Sequence, residues 1–499
     1  MHVLTLPALV VLFLPLFGAA AAAQSADLAA RSRTASQAMN DGRFDEAARI
    51  YRELLQSLPD EPGLLMNLGM ALAMGGQEKA AVAPLQRAVS LKPDLIPAHL
   101  FLGSTYLALG DAASAIPPLQ RAVAGGPSDV ERRRMLAQAY AAVGRPADAV
   151  TELRRITDLA PRLPAAWYAL GHAYNALVQD AMATFGSAPG DSPWQQLLVA
   201  DALHADGRFT DAFAIYRETL ERLPSMVTVH DSVARIYEQT GHADWAVKER
   251  AHGALPAAAC ARRTALCQFR AGRYQRALVA ALAASDPESR YWRVRAATEL
   301  ARAAFKRLDG LPDSRERREV RATQALAERR YTDAIAELQV ALKFAPGDPA
   351  LADDLGTAYY FARDYERAVE TLSPLVAANP ADARLLTVYG DSLLQLQRAD
   401  EALPLLKRAA EQGTSDSSAR LTLARAHAQK GEFAAAIPLI EPHLSEDQDG
   451  SLHVQLARAY TGTGQREKAE ALLTRSQELQ RAAQERNAAA GQRTITRPK

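Results

Sequence analysis

One spacing constrains this chain more than any other property it has. Glycines fall at Gly69, Gly103 and Gly171, with Ala137 filling the missing step, and each step is 34 residues. Alanines at Ala47, Ala81, Ala115 and Ala149 and prolines at Pro59, Pro93, Pro127 and Pro161 advance by the same 34. Three residue types that keep one period over four units define a repeat. A period of this length means stacked supersecondary units rather than a single globular core. Physical chemistry gives each type its place. Small residues sit where two helix backbones approach closely. Proline stops the second helix, because it lacks an N–H and clashes with the preceding turn. Between the helices a permissive backbone is needed, and glycine supplies it. That turn recurs as DGRFDEA at 41–47, DGRFTDA at 206–212, AGRYQRA at 271–277 and, without its glycine, ERRYTDA at 328–334. The aromatics that come after it, Phe44, Phe209, Tyr274 and Tyr331, read as core staples.

Apolar residues make up 48% of the chain and aromatics only 6%, so the apolar content is mostly Ala and Leu. Those residues favour helices over strands. The expected fold is all-α: a solenoid of about fourteen helix-turn-helix units from about 26 to 480. One such unit cannot bury its own apolar face, and its neighbours supply the rest of the core. The first eight units begin near Leu28, Pro62, Ile96, Val130, Pro164, Pro193, Val227 and Ala258. Six more begin near Ser289, Arg315, Pro349, Ala383, Ser417 and Gly450. Residues 465–490 predict a long polar closing helix. The stretch 481–499 reads as a polar tail whose end, GQRTITRPK, is expected to be disordered.

Residues 164–174, PAAWYALGHAY, place Trp167, Leu170, Gly171 and Tyr174 in a W-x2-L-G-x2-Y pattern. On this motif and the period, the chain resembles the tetratricopeptide repeat family. The resemblance implies a right-handed superhelix in which the first helix of each repeat lines a concave groove. It also implies a role in binding peptides or protein surfaces. The family's groove positions fall here on Arg134 and Gln138, then Tyr168, His172 and Asn175. In the next two units they fall on Trp194, Asp201 and His204, and on Asp231, Arg235 and Glu238. An exposed Trp or Tyr with Arg nearby is hot-spot chemistry. The competing reading packs Trp194 and Tyr168 between neighbouring helices. The Lys/Asn clamp that some family members use for a C-terminal carboxylate has Ser32, Ser36 and Pro97 in its place.

Two units break the pattern. After Tyr174 there is no glycine turn, so one helix is predicted over 165–186, then a turn at GSAPGDSP. Trp292 opens a second unit of this kind, and 164–288 and 289–413 read as a block duplication. The short units at 164–192 and 289–314 are either inherited geometry or a local widening of the groove into a site.

The chain holds no HExxH, G-x-S-x-G, Walker A or complete GxGxxG motif, so neither catalysis nor a cofactor is expected. The ten histidines are scattered, and no metal site is expected. A net charge of +1 makes no case for nucleic acid. The expected partner is a protein or peptide. Between Arg290 and Arg330, twelve basic residues face six acidic ones, an excess that suits an acidic partner, an anionic polysaccharide or lipid headgroups, or else a solvated helix face. MHVLTLPALVVLFLPLFGAAAAAQS reads as a secretory signal peptide over 1–23, with cleavage near Ala21 to Ala23 and export to the periplasm or beyond. An uncleaved anchor over Val3 to Ala23 is the alternative. The leading expectation is an exported, non-catalytic scaffold or adaptor. The alternative is a periplasmic structural component of a polysaccharide-export or envelope-assembly complex. Cys260 and Cys267 are the two cysteines. On one helix their Cα atoms would stand about 10 Å apart, too far for a disulfide, so free thiols are expected. A bridge requires Cys260 to lie in the segment before the helix.

Overall fold

A computed structural model describes residues 16–186, 192–223, 226–261, 264–412, 417–491 and 493–498. It divides into two compact units, 1–177 and 178–499. The first contains α1 (Leu16–Asn40), α2 (Phe44–Ser57), α3 (Pro62–Met74), α4 (Glu78–Leu91), α5 (Ile96–Ala108), α6 (Ala112–Ala124), α7 (Val130–Ala142), α8 (Pro146–Leu159) and most of α9 (Pro164–Gly186). The second continues with α10 (Pro193–Ala205), α11 (Phe209–Arg222), α12 (Val227–Gln239), α13 (Ala243–His252), α14 (Thr264–Arg270), α15 (Tyr274–Leu282), α16 (Pro287–Asp309), α17 (Arg315–Ala327) and α18 (Tyr331–Phe344). It ends with α19 (Pro349–Phe361), α20 (Tyr365–Ala378), α21 (Ala383–Gln395), α22 (Ala399–Glu411), α23 (Ser418–Gln429), α24 (Phe433–Ile440), α25 (Ser451–Gly462) and α26 (Arg466–Gly491). Among the described residues there is no strand. Within each unit consecutive helices pair and stack in the manner of a helical solenoid, and α9 and α16 stand as single long helices in place of a pair.

The small residues have a visible cause. A Cβ on Gly103 would lie 2.5 Å from Leu119 Cγ, and one on Gly390 would lie 2.7 Å from Leu406 Cγ. Gly69 meets Leu85 in the same way, Gly171 is buried, and Ala81 and Ala115 have no exposed surface. Pro93 and Pro127 sit in the turns after α4 and α6. The inter-helix glycine is left-handed, as at Gly207 with φ +74°. Where the turn lacks glycine, Arg329, Arg363 and Gln397 take that conformation themselves, at φ 57°, 64° and 61°. A second regularity is invisible in composition. Gln86, Gln120 and Gln339 each donate to the tyrosine twenty residues on, Tyr106, Tyr140 and Tyr359, at 2.7, 2.8 and 2.8 Å. Each bond joins the second helix of one unit to the first helix of the next.

Two expectations are corrected. Cys260 lies in a 3-10 turn, Ala257–Ala261, ahead of α14, so it is not on the helix of Cys267. The Cα atoms stand 5.7 Å apart and the two cysteines are bonded. The tail after α26 also differs from a disordered end, because residues 493–496 contact α11 and α12. The segment 1–15, with most of the expected leader, and the turn residues 187–191 lie outside the described residues. Of the described helices, none is long and apolar enough to cross a membrane.

Candidate partner-binding surface

The groove candidates divide between the two units. In the first, Arg134 and Gln138 are exposed on α7, one helical turn apart, with 3.5 Å between Nη1 and Oε1. Arg134 also pairs with Glu131 at 2.5 Å and holds that carboxyl below its ordinary range. On α9 the rings of Tyr168 and His172 lie 4.3 Å apart, tilted at 55°, and His172 and Asn175 are exposed. Trp167 donates from Nε1 to Pro161 O at 2.9 Å, which ties the helix start to the preceding turn. Tyr174 is core, and burial pushes its hydroxyl up to about 12.

In the second unit the structure gives two candidates a different role. Asp201 is no groove residue. Its carboxylate accepts from Tyr216 Oη at 2.5 Å, from Tyr291 Oη at 2.8 Å and from Arg295 Nη1 at 2.6 Å. The Asp201 and Arg295 side chains are only 13% and 12% exposed. Burial first, and then Asp201, keeps the Tyr216 hydroxyl far above the usual tyrosine range, so it remains a donor. Trp194 packs on Tyr291 with 5.3 Å between ring centres, which is the inter-helix reading. His204 bonds Gln239 at 2.5 Å and sets its edge on Phe209.

The Tyr291, Arg295 and Trp194 contacts join α10 to α16, ninety or more residues apart, while α16 also packs on α15. Beside the junction lies a cavity of about 490 Å³. Its walls come from α12, from the end of α13, from α14 and the start of α15, and from α16. Four arginines converge on it, and three are answered. Arg250 pairs with Glu238 at 2.6 Å, Arg270 with Asp231 at 2.5 Å and Arg295 with Asp201. Asp231 and Glu238 are therefore occupied. Arg235 reaches only Ser232 Oγ, at 3.1 Å, and its buried Nε has no acceptor among the described residues. Phe269, Tyr274 and Trp292 supply the apolar wall, with Phe269 centred 5.0 Å from Tyr274 and 5.1 Å from Trp292. The Cys260–Cys267 bond closes the segment between two stretches of this wall, Gly253–Ala254 and Phe269–Arg270.

Sequence reasoning found Arg235 and Asp231 from their helix positions. It missed Arg250, Phe269, Arg270 and Arg295, and it read Tyr274 only as a core staple. The one available signal was the irregular unit at Trp292. Among the described residues, His230, Glu249 and His252 are the group that could hold a metal ion. His230 Nδ1 already lies 2.7 Å from the buried Glu249 carboxylate, so the pair is closed on itself.

Two tetratricopeptide repeat models match the chain. One matches residues 32–96 and 354–417, the other 106–173 and 393–453. The matches fall in both units, and the cavity lies in the stretch between them. No curated protein matches the chain. Among solved structures, a crystal structure of MamA protein is 24% identical, covers 30% of this chain and 81% of that one, and has a TM-score of 0.29. MamA (41-end) from Desulfovibrio magneticus RS-1 is 23% identical, covers 30% and 84%, and also has a TM-score of 0.29. Those likenesses are partial, and the fold rests on the helix pairs themselves. With the 34-residue register, the packed glycines and the matched models together, the chain is a protein of tetratricopeptide repeats.

Proposed function

We propose that the chain is an exported, non-catalytic scaffold that holds a protein partner in the cavity of the second unit. Tetratricopeptide repeats bind protein partners, and the repeats make this chain a protein-interaction scaffold. Arg235 carries the finer reading. A buried guanidinium N–H without an acceptor is costly, and a carboxylate on the partner supplies what is missing. The neighbouring Trp292, Phe269 and Tyr274 offer an apolar wall of the kind on which interface hot spots are built. The other charged groups of the cavity are closed into pairs, which suits binding rather than proton transfer.

Two observations support export. An apolar run followed by small residues opens the sequence, and both cysteines are bonded, which suits an oxidising compartment. The test is affinity capture from envelope extract with residues 24–499, beside Arg235→Gln. The expected result is one partner held by the parent and lost from a variant that unfolds at the same temperature. The same partner held equally by both sinks the cavity as the site. Co-purification with an outer-membrane barrel or a polysaccharide exporter would instead favour a structural part of an envelope machine. Fractionation with N-terminal sequencing tests the location, and an intact Met1 on a soluble chain overturns export.

A further inference from the structure

The closing helix α26 stops at Gly491 for local reasons. Thr494, Ile495 and Thr496 are β-branched, lose side-chain freedom in a helix and favour an extended chain, and Pro498 cannot continue a helix. The residues beyond the helix form a seated segment. Arg493 Nη1 pairs with Asp211 Oδ1 of α11 at 2.9 Å. Tyr237 Oη of α12 donates to Thr496 O at 2.7 Å. Between them Ile495, half-buried, packs against the core that contains Phe213, Tyr237 and Ala246. The receiving side is built for this. Tyr237 has its ring fixed between Phe213 and Trp245, at 5.7 and 5.6 Å. Asp211 is 11% exposed and is oriented from its other oxygen by Arg208 at 2.6 Å. An ion pair, an apolar contact and a main-chain hydrogen bond thus fall on three positions of one short segment, more than 250 residues away in sequence.

We propose that the α11–α12 surface is a peptide-binding site, separate from the Arg235 cavity, for an extended segment with the pattern arginine, any residue, β-branched apolar residue. The chain's own Arg493–Thr496 is its resident ligand. None of the three contacts needs the peptide to be joined to α26, so a segment with the same pattern on another protein makes the same contacts. It must first displace the tail. A tethered ligand acts at an effective concentration on the order of millimolar, so the tail sets a threshold for outside peptides.

The probe is a fluorescent peptide of residues 490–499, read by anisotropy against the full-length chain. The unaltered chain is expected to bind it weakly, because the seat is filled. A chain with Arg493→Glu and Ile495→Asp frees the seat and is expected to bind on the order of a hundredfold tighter. Adding Asp211→Asn or Tyr237→Phe to that chain is expected to weaken binding again, and a peptide with the two tail substitutions is not expected to bind. If the freed chain binds the natural peptide no better than the substituted one, the proposal is wrong. Should the substituted tail disturb folding, a chain ending at Gly491 gives the same reading, with the same result overturning it.

Discussion

Removing the carboxylate of Asp201 should loosen the junction of α10, α11 and α16 more than any surface change. The carboxylate accepts three hydrogen bonds, and Arg295 beside it is 12% exposed. Its guanidinium stays above the ordinary arginine range although burial opposes this, because Tyr291 and Asp201 favour the charged form. Asp201→Ala leaves that charge with Tyr291 Oη but no carboxylate and takes the acceptor from two tyrosine hydroxyls. Breaking a buried pair in this way costs about 3–5 kcal/mol. Asp201→Asn keeps the shape and loses the charge-assisted part, about 1.5–3 kcal/mol. Asp201→Leu with Arg295→Met should cost less than the two single changes added together, by about 1–3 kcal/mol, since residues in one network couple. An array of repeats does not unfold in one step, so the fitting assay is native-state amide exchange in α10 and α16. At about 1.4 kcal/mol per decade, Asp201→Ala predicts about a hundredfold or greater loss of protection there. Exchange within about threefold of the parent in both helices would refute the claim that this network holds α16 on α10.

Four further outcomes are expected. Gly103→Leu puts a side chain where Leu119 already stands and should cost about 1–3 kcal/mol; unchanged thermal unfolding means the helix-pair register is wrong. Arg329→Gly relieves a left-handed arginine, and should stabilise by about 0.5–1 kcal/mol after glycine's own entropy cost, measured as a raised unfolding midpoint. Asp447 is a pH prediction. Burial opposes its charge, but His453, through its ring at 2.6 Å and its backbone N–H at 2.9 Å, holds the carboxyl below the ordinary range. A carboxyl lowered by folding contributes stability that is complete above its unfolded value, near 4, and is lost as pH falls through the folded value. Exchange protection around α25 and α26 should therefore fall below about pH 4, and Asp447→Asn should remove that dependence. Replacing both cysteines by serine opens a loop with a sequence separation of seven, worth about 2.5 kcal/mol by loop-closure entropy. Faster exchange over 253–270 checks this, and an unchanged rate argues against the bond.

Much of the repeat architecture is legible in the residues alone, because each unit touches mainly its neighbours. Gly103 must be small for Leu119, sixteen residues on, and the same pairing recurs at Gly69 with Leu85, Gly356 with Leu372 and Gly390 with Leu406. The helix starts at Pro62, Ile96, Val130 and Pro164 come from the repeat, as do the two long helices where no turn residue interrupts Asn175–Phe185 or the run after Trp292. Arg235 was legible as a candidate from its helix position, and it lines the cavity. What only the tertiary structure decided is what stands opposite these residues. Asp201 shares its helix with other groove candidates, yet its side chain is only 13% exposed where α16 meets α10 from more than ninety positions away. Of the cavity's four arginines, Arg235 has no carboxylate among the described residues, since Asp231, Glu238 and Asp201 each pair with another arginine. Cys260 meets Cys267 because the chain makes a 3-10 turn before α14, and Arg493 meets Asp211 across 282 positions. For the Asp201–Arg295 and Arg493–Asp211 pairs the physical reason is the same. Contacts within and between adjacent units repeat with the sequence, whereas these contacts depend on rotations summed over several unequal units, and no single unit's residues encode that sum.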